Sequence, residues 1–136
     1  MKDNQRQATL AYFGGFFDGE GCITLYSTHS GPNKRLQYTG RVSLEQAHEE
    51  VIEEMAEVFG GSYKLRKKYK ENLGTRKTYE WSITGLRLAE FLKLILPYLR
   101  VKKQEAEIAI KYCQTKDYTL RAQYLSELKE YRSRRD

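Results

Sequence analysis

The sequence is short of cysteine and histidine, and it has no long apolar run. Two cysteines, Cys22 and Cys113, cannot build a disulfide framework. With only His29 and His48 beside them, they also make a poor zinc site, so both read as reduced, buried thiols. No apolar run approaches the ~20 residues needed to cross a bilayer. The opening "MKDNQRQATL" lacks the apolar core of a signal peptide, which points to an intracellular protein of the cytoplasm, nucleoid or an organelle matrix, not a secreted one. Low-complexity tracts are absent. So are a Gly-rich loop of the phosphate-cradling kind and a plausible nucleophilic triad.

What is present fits one compact domain. The 136 residues are 40% hydrophobic and 31% charged, with no linker or break in composition to mark a second unit. Residues 1–136 therefore read as one domain, with a core over about 5–100 and a helical tail over about 101–136. The net charge is +6 and is sorted by element. Residues 45–57 hold six glutamates and no lysine or arginine. Residues 62–80 hold seven basic residues against two acidic ones. Such a basic hairpin is either a solvated face or the electrostatic footprint of a polyanion, nucleic acid first among them.

Periodicity supplies the elements. Ala8 to Asp18 reads as a helix, with Asp3, Asn4 or Thr9 as its cap. Cys22 to Thr28 and Leu36 to Leu44 alternate as half-buried strands across the turn "HSGPNKR". Ala47 to Phe59 is an amphipathic helix ended by Gly60 and Gly61. Tyr63 to Lys70 and Thr78 to Thr84 form a second pair of strands around "ENLGT". Leu86 to Leu96 is an apolar helix stopped by Pro97, and helices follow over Lys102 to Gln114 and Leu120 to Arg132. Both hairpins must be antiparallel, because their connections are too short for a crossover. They most simply form one sheet with helices on one face. The open face then carries Thr24, Tyr26, Thr28, Gln37, Thr39, Arg41, Ser43, Arg66, Lys68 and Lys70. A twisted antiparallel ribbon has a width suited to the DNA major groove, and arginine pairs bidentately with guanine there, which singles out Arg41 and Arg66. Thr78, Glu80 and Ser82 share that face provided Trp81 faces the core.

The first helix breaks two rules of helix stability. Four glycines, Gly14, Gly15, Gly19 and Gly21, fall in or beside it, each interior one unfavourable by roughly 1 kcal/mol relative to alanine. Glu20 places an anion at the negative pole of the helix dipole. Ala11, Gly15 and Gly19 lie at i, i+4 and i+8 on one stripe. Small residues so spaced let another backbone come close, either a second helix or a strand of the same chain.

The stretch "FGGFFDGEG" at Phe13–Gly21 resembles the signature of the LAGLIDADG homing endonucleases in its "GFFDGEG" form. "VSLEQAHEEVIEEMAEVFGG" resembles that family's second strand and second helix, and "LPYLRVKKQEAE" the approach to its later helix. The resemblance covers nearly the whole chain. It implies an α+β fold, an αββαββα core whose antiparallel, saddle-shaped sheet has helices on one face, plus C-terminal helices. Members with one motif are generally homodimers, so the single motif implies a homodimer packed through Ala11, Gly15 and Gly19.

The resemblance also implies chemistry: Mg²⁺-dependent cleavage of a long, pseudo-palindromic site in double-stranded DNA, with Mn²⁺ or Ca²⁺ able to replace Mg²⁺ in binding. An intron-encoded or intein-related origin goes with it, and neither a small-molecule cofactor nor a membrane does. Glu20 matches the motif's metal-binding acid, with the backbone of Gly19 beside it, although the family more often has aspartate there. A divalent cation would offset both the dipole and the repulsion between two symmetry-related carboxylates. Asp18 matches the first acid and reads as structural, satisfying backbone donors. Gln46 matches a polar residue that orders water, or Glu45 if the register slips by one. Lys102 matches a basic residue near the scissile phosphate, with Lys103 one step away. Two other readings stay open: a LAGLIDADG-type maturase or transcription regulator that binds without cutting, and a basic interaction domain with an incidental motif match.

Overall fold

The computed structural model describes residues 3–66 and 77–135. The chain runs through α1 (Asp3–Glu20), β1 (Gly21–Ser30), β2 (Arg35–Gln46), α2 (Glu49–Phe59), β3 (Ser62–Leu65), β4 (Tyr79–Thr84), α3 (Leu86–Ile95), α4 (Lys103–Gln114) and α5 (Tyr118–Arg135). A short 3-10 turn at Leu96–Tyr98 links α3 to the approach to α4. This is the α+β order that the sequence predicts. The third strand was expected to reach Lys70; its described part ends at Leu65, and Arg66 N–H adds one more bond, to Thr78 O at 2.8 Å. Lys68 and Lys70 lie outside the described residues.

Both hairpins join one antiparallel sheet in the order β1-β2-β4-β3. Register decides which side chains share a face. Ile23 pairs with Val42, Val42 with Ile83, and Leu44 with Trp81. All of these are buried, and Trp81 is 0% exposed. The alternate residues, Thr24 with Arg41 and Tyr26 with Thr39, therefore point to the other face. Trp81 facing the core also puts Ser82 and Glu80 on that second face.

Helices cover the first face. Phe13 and Phe17, one turn apart on α1, meet Phe59 of α2 and Phe91 of α3 edge-on, at centroid distances of 5.8 and 5.3 Å. Phe91 also packs on Trp81 at 4.9 Å. Helix α4 adds Ala106, Ile108, Ala109 and Tyr112 to the same core, and α5 adds Leu125 and Leu128. Glu105, buried on α4, pairs with Arg132 of α5 at 2.8 Å, and Arg132 also donates to Ile23 O on β1. The tail is thereby tied to both the helical layer and the sheet.

One expectation fails. Cys22 is exposed, because the alternation that buries Ile23 turns its neighbour onto the open face. Cys113 is buried as expected, and burial pushes its thiol up to about 11 against the opposing influence of Arg121. Among the described residues, no helix is long and apolar enough to cross a membrane.

Candidate active site and nucleic-acid face

The glycines of the motif divide into two pairs. A Cβ on Gly14 would stand 2.7 Å from the Cβ of Tyr98, and one on Gly21 would overlap the Phe17 ring. These two glycines let α1 lie close against its own chain. Gly15 and Gly19 have nothing within 4 Å of the same position, and Ala11 is exposed. The stripe is therefore not packed under a strand of the same chain. Beside it stand Phe16 and Tyr12, the latter 57% exposed, their rings 6.1 Å apart.

Glu20 is the last residue of α1 and is exposed. Gly21 opposes Leu44, so the end of β2 at Gln46 lies beside the junction of α1 and β1. The Gln46 side-chain oxygen accepts from Ala47 N–H at 2.9 Å, which fixes the amide at that corner.

Asp18 closes the site from the other side. Its carboxylate accepts from the backbone N–H groups of Arg100, Val101 and Lys102 at 2.8–3.1 Å. These donors precede α4, so Asp18 caps the start of a helix distant in sequence, not the end of its own. The Lys102 ammonium donates in return to Asp18 O at 2.8 Å. That carbonyl is among the last four of α1, which have no partner within the helix. The end of β2 that carries Gln46 and the tether of Lys102 thus both lie toward the end of α1, which Glu20 terminates.

Asp18 also carries a pH signature. Partial burial pushes its carboxyl up, but the hydrogen bonds from Val101, Lys102 and Arg100, together with the Lys102 charge, hold it below the ordinary range. A lowered carboxyl contributes stability above its unfolded pKa of about 3.9, and that stability is lost as pH falls through the lower folded value. Asn at this position would aim an NH₂ group at backbone donors. Asp18→Asn is expected to lower stability at pH 7 by about 1–3 kcal/mol. It should also flatten the acid limb of the stability curve below pH ~4. Urea unfolding at pH 7 and pH 3 reads both, and equal losses at the two pH values would contradict the assignment.

The residues present suit a hard divalent cation. Glu20 offers carboxylate oxygens, and the last turn of α1 offers carbonyl oxygens, including that of Gly19. Among the described residues, no group of three or more His, Cys, Asp and Glu side chains forms a complete cage. One carboxylate per chain, with water and phosphate completing the shell, is the manner in which Mg²⁺ is usually held.

The open face joins this corner. Thr24, Tyr26 and Thr28 line β1, and Gln37, Thr39, Arg41 and Ser43 line β2 opposite them. Lys64 and Ser62 of β3 face the same way, opposite Glu80 and Ser82. Periodicity missed one feature at its centre. Glu80, only 6% exposed, holds Arg41 through one carboxylate oxygen and Arg66 through the other, the latter at 2.7 Å. Glu45, opposite Glu80, accepts from the Thr78 hydroxyl and lies 3.8 Å from Arg66 Nε. The sequence signal was an acid alternating onto the open face of β4, next to the basic face of β3.

One face of the sheet is packed. The other is lined with hydroxyls, amides and guanidinium groups, and the junction of α1 and β1 stands at its end. A twisted antiparallel face lined in this way has the shape and chemistry that suit a polyanion. The chain belongs to the LAGLIDADG endonuclease family, whose sequence profile matches residues 13–119. No curated protein sequence matches it significantly. Solved structures do. The homing endonuclease I-CvuI, in complex with its target in the presence of Ca, aligns with a TM-score of 0.76 at 19% identity, over 93% of this chain and 83% of that one. The archaeal intron-encoded I-Vdi141I, complexed with DNA, gives 0.64 at 18% identity, over 79% and 67%. I-SmaMI bound to cleaved DNA gives 0.68 at 14% identity, over 89% of this chain and 41% of that one. At these identities the likeness establishes the fold.

Proposed function

We propose that the protein is a homodimeric, Mg²⁺-dependent endonuclease that cuts both strands of a long, pseudo-palindromic DNA site. The observation that carries this reading is an open sheet face ending beside the motif helix, in a chain of this family whose Glu20 stands at the last position of that helix and whose Lys102 is tied to the same helix end. The DNA-bound relatives support the substrate class. The single motif and the uncovered stripe of α1 support a homodimer, in which each copy would cut one strand. This chain spans about two-fifths of I-SmaMI, a proportion that suits one motif-bearing unit set against a longer chain.

A bound divalent cation would polarise the phosphate and stabilise the leaving oxygen. Glu20 would hold it, with the Gly19 carbonyl. The Gln46 amide would orient water for in-line attack by hydrogen bonding. Lys102, already tethered through Asp18 O, would balance charge building on the phosphate. Thr24, Tyr26, Thr28, Gln37, Thr39, Arg41, Ser43 and Arg66 would read the groove, and Lys68 and Lys70 would bind phosphate.

The test is selection of cleaved sites from a randomised duplex library with the purified protein in Mg²⁺. Double-strand cuts at one recurrent sequence support the reading. Recurrent binding without cutting would make the protein a regulator or maturase instead. Electrostatics give a further check. Lys64 is exposed on the open face, and replacing it by Gln should lower the slope of log K against log salt by about 1 if it meets a phosphate. An unchanged slope would place β3 off the DNA backbone.

A further inference from the structure

The open face contains a charge arrangement that phosphate binding does not call for. Glu80 is an acid at the centre of a basic surface, and it is buried. Its cross-strand neighbour on β2 is another acid, Glu45. Like charges directly opposite each other destabilise a sheet pair. Arg66 lies between the two carboxylates, at 2.7 Å from Glu80 and 3.8 Å from Glu45. Arg41, two steps along the same face of β2 from Glu45, takes the second Glu80 oxygen. The two glutamates balance the two arginines and leave Lys64, opposite Glu80 on the same face, as the cation without a charge partner in this cluster among the described residues.

A guanidinium on a loose side chain meets phosphate first, because phosphate is the stronger charge partner. Held by a carboxylate at the floor of the sheet, it is drawn away from phosphate and its position is restrained. Each guanidinium has five N–H donors, and a single carboxylate oxygen occupies few of them. The donors that remain match the O6 and N7 acceptors of guanine in the major groove.

We propose that Glu80 is a specificity-determining positioning residue: it fixes Arg41 and Arg66 as a paired reader of guanine edges and keeps both away from the phosphate backbone. This inference rests on the DNA-binding reading above. It adds that discrimination in this part of the site depends on an acid that need not touch DNA.

Glu80→Gln keeps the size and one acceptor but removes the charge. Binding would be measured to the selected site, to versions with each guanine replaced, and to scrambled duplex, at several salt concentrations. The variant should bind scrambled DNA about 10-fold more tightly and with a steeper salt slope, because the released arginines reach phosphates. Its ratio of selected to scrambled affinity should fall about 10-fold or more. The lost preference should map to the same base pairs that Arg41→Gln and Arg66→Gln each lose. A merely structural clamp would lower the melting temperature and leave that base-preference profile unchanged, which would overturn the proposal. The two arginine variants keep the question answerable if Glu80→Gln fails to fold, since unaltered base preference in both would refute the paired reader. A wild-type protein that selects no sequence would overturn the DNA reading itself. A wild type that selects a site which Glu80→Gln selects equally well would overturn this inference alone.

Discussion

Glu20→Gln is expected to reduce cleavage by about 100-fold or more, equivalent to ~2.7 kcal/mol of transition-state stabilisation, while site-specific binding survives. The substitution preserves shape and removes the charge that attracts the cation. Glu20 is exposed at the end of α1, and among the described residues nothing is seen to pair with its carboxylate. No internal hydrogen bond is therefore lost with the charge. In the absence of metal the variant should be as stable as the wild type, or more so. A carboxylate at a helix C-terminus is unfavourable by roughly 0.3–1 kcal/mol. In a dimer through α1, two such carboxylates also repel each other. Three measurements on this variant separate the explanations. A solvated end residue would leave cleavage near wild type. A structural cap would lower stability along with activity. A metal ligand loses cleavage alone. Retained cutting in Mg²⁺ would remove Glu20 from the chemistry.

The sequence made the sheet legible because strand alternation is a local property. Ile23 and Leu25 against Thr24 and Tyr26, and Trp81 and Ile83 against Ser82, state their faces without reference to the rest of the chain. The same rule placed Arg41 and Arg66 on the open face. It could not show that Glu80 holds them both, because that contact depends on the strand order β1-β2-β4-β3. Periodicity cannot choose which hairpin edge meets which. Cys22 was misread for a related reason: a residue type usually buried was allowed to outweigh its position in the alternation.

Only family likeness singled out Glu20, Gln46 and Lys102 as candidates. Glu20, Gln46 and Lys102 have no spacing that folds them together locally. Gln46 comes toward the end of α1 because Gly21 registers with Leu44, and Lys102 because Asp18 reaches across to the start of α4. The first acid of the motif thus does the architectural work that places Lys102 beside α1. The glycines show the same limit. Their spacing suggested close packing, but only the fold separates Gly14 and Gly21, which serve the chain itself, from Gly15 and Gly19, which face outward.

That division sets up the second large effect. Gly15→Leu should abolish dimerisation, and with it cleavage, while the single chain still folds. A side chain at Gly15 meets nothing within 4 Å in its own chain, so the protomer has room for it. Leucine also favours helix over glycine, by about 0.5–1 kcal/mol at an interior position. Across a close helix pair the same side chain has no room, and the two α1 helices would be forced apart. Gly14→Leu makes the opposite control. Its Cβ alone would come within 2.7 Å of Tyr98 Cβ, against the 3-10 turn that follows α3, so this variant should lose protomer stability by a few kcal/mol, on the order of 1–3 for overpacking. Sedimentation and thermal unfolding read the two outcomes independently. A folded monomer for Gly15→Leu beside a destabilised Gly14→Leu would establish that neighbouring glycines serve different interfaces. A fully active Gly15→Leu dimer would refute packing through this stripe. It would also require another route for bringing two Glu20 carboxylates to one DNA site.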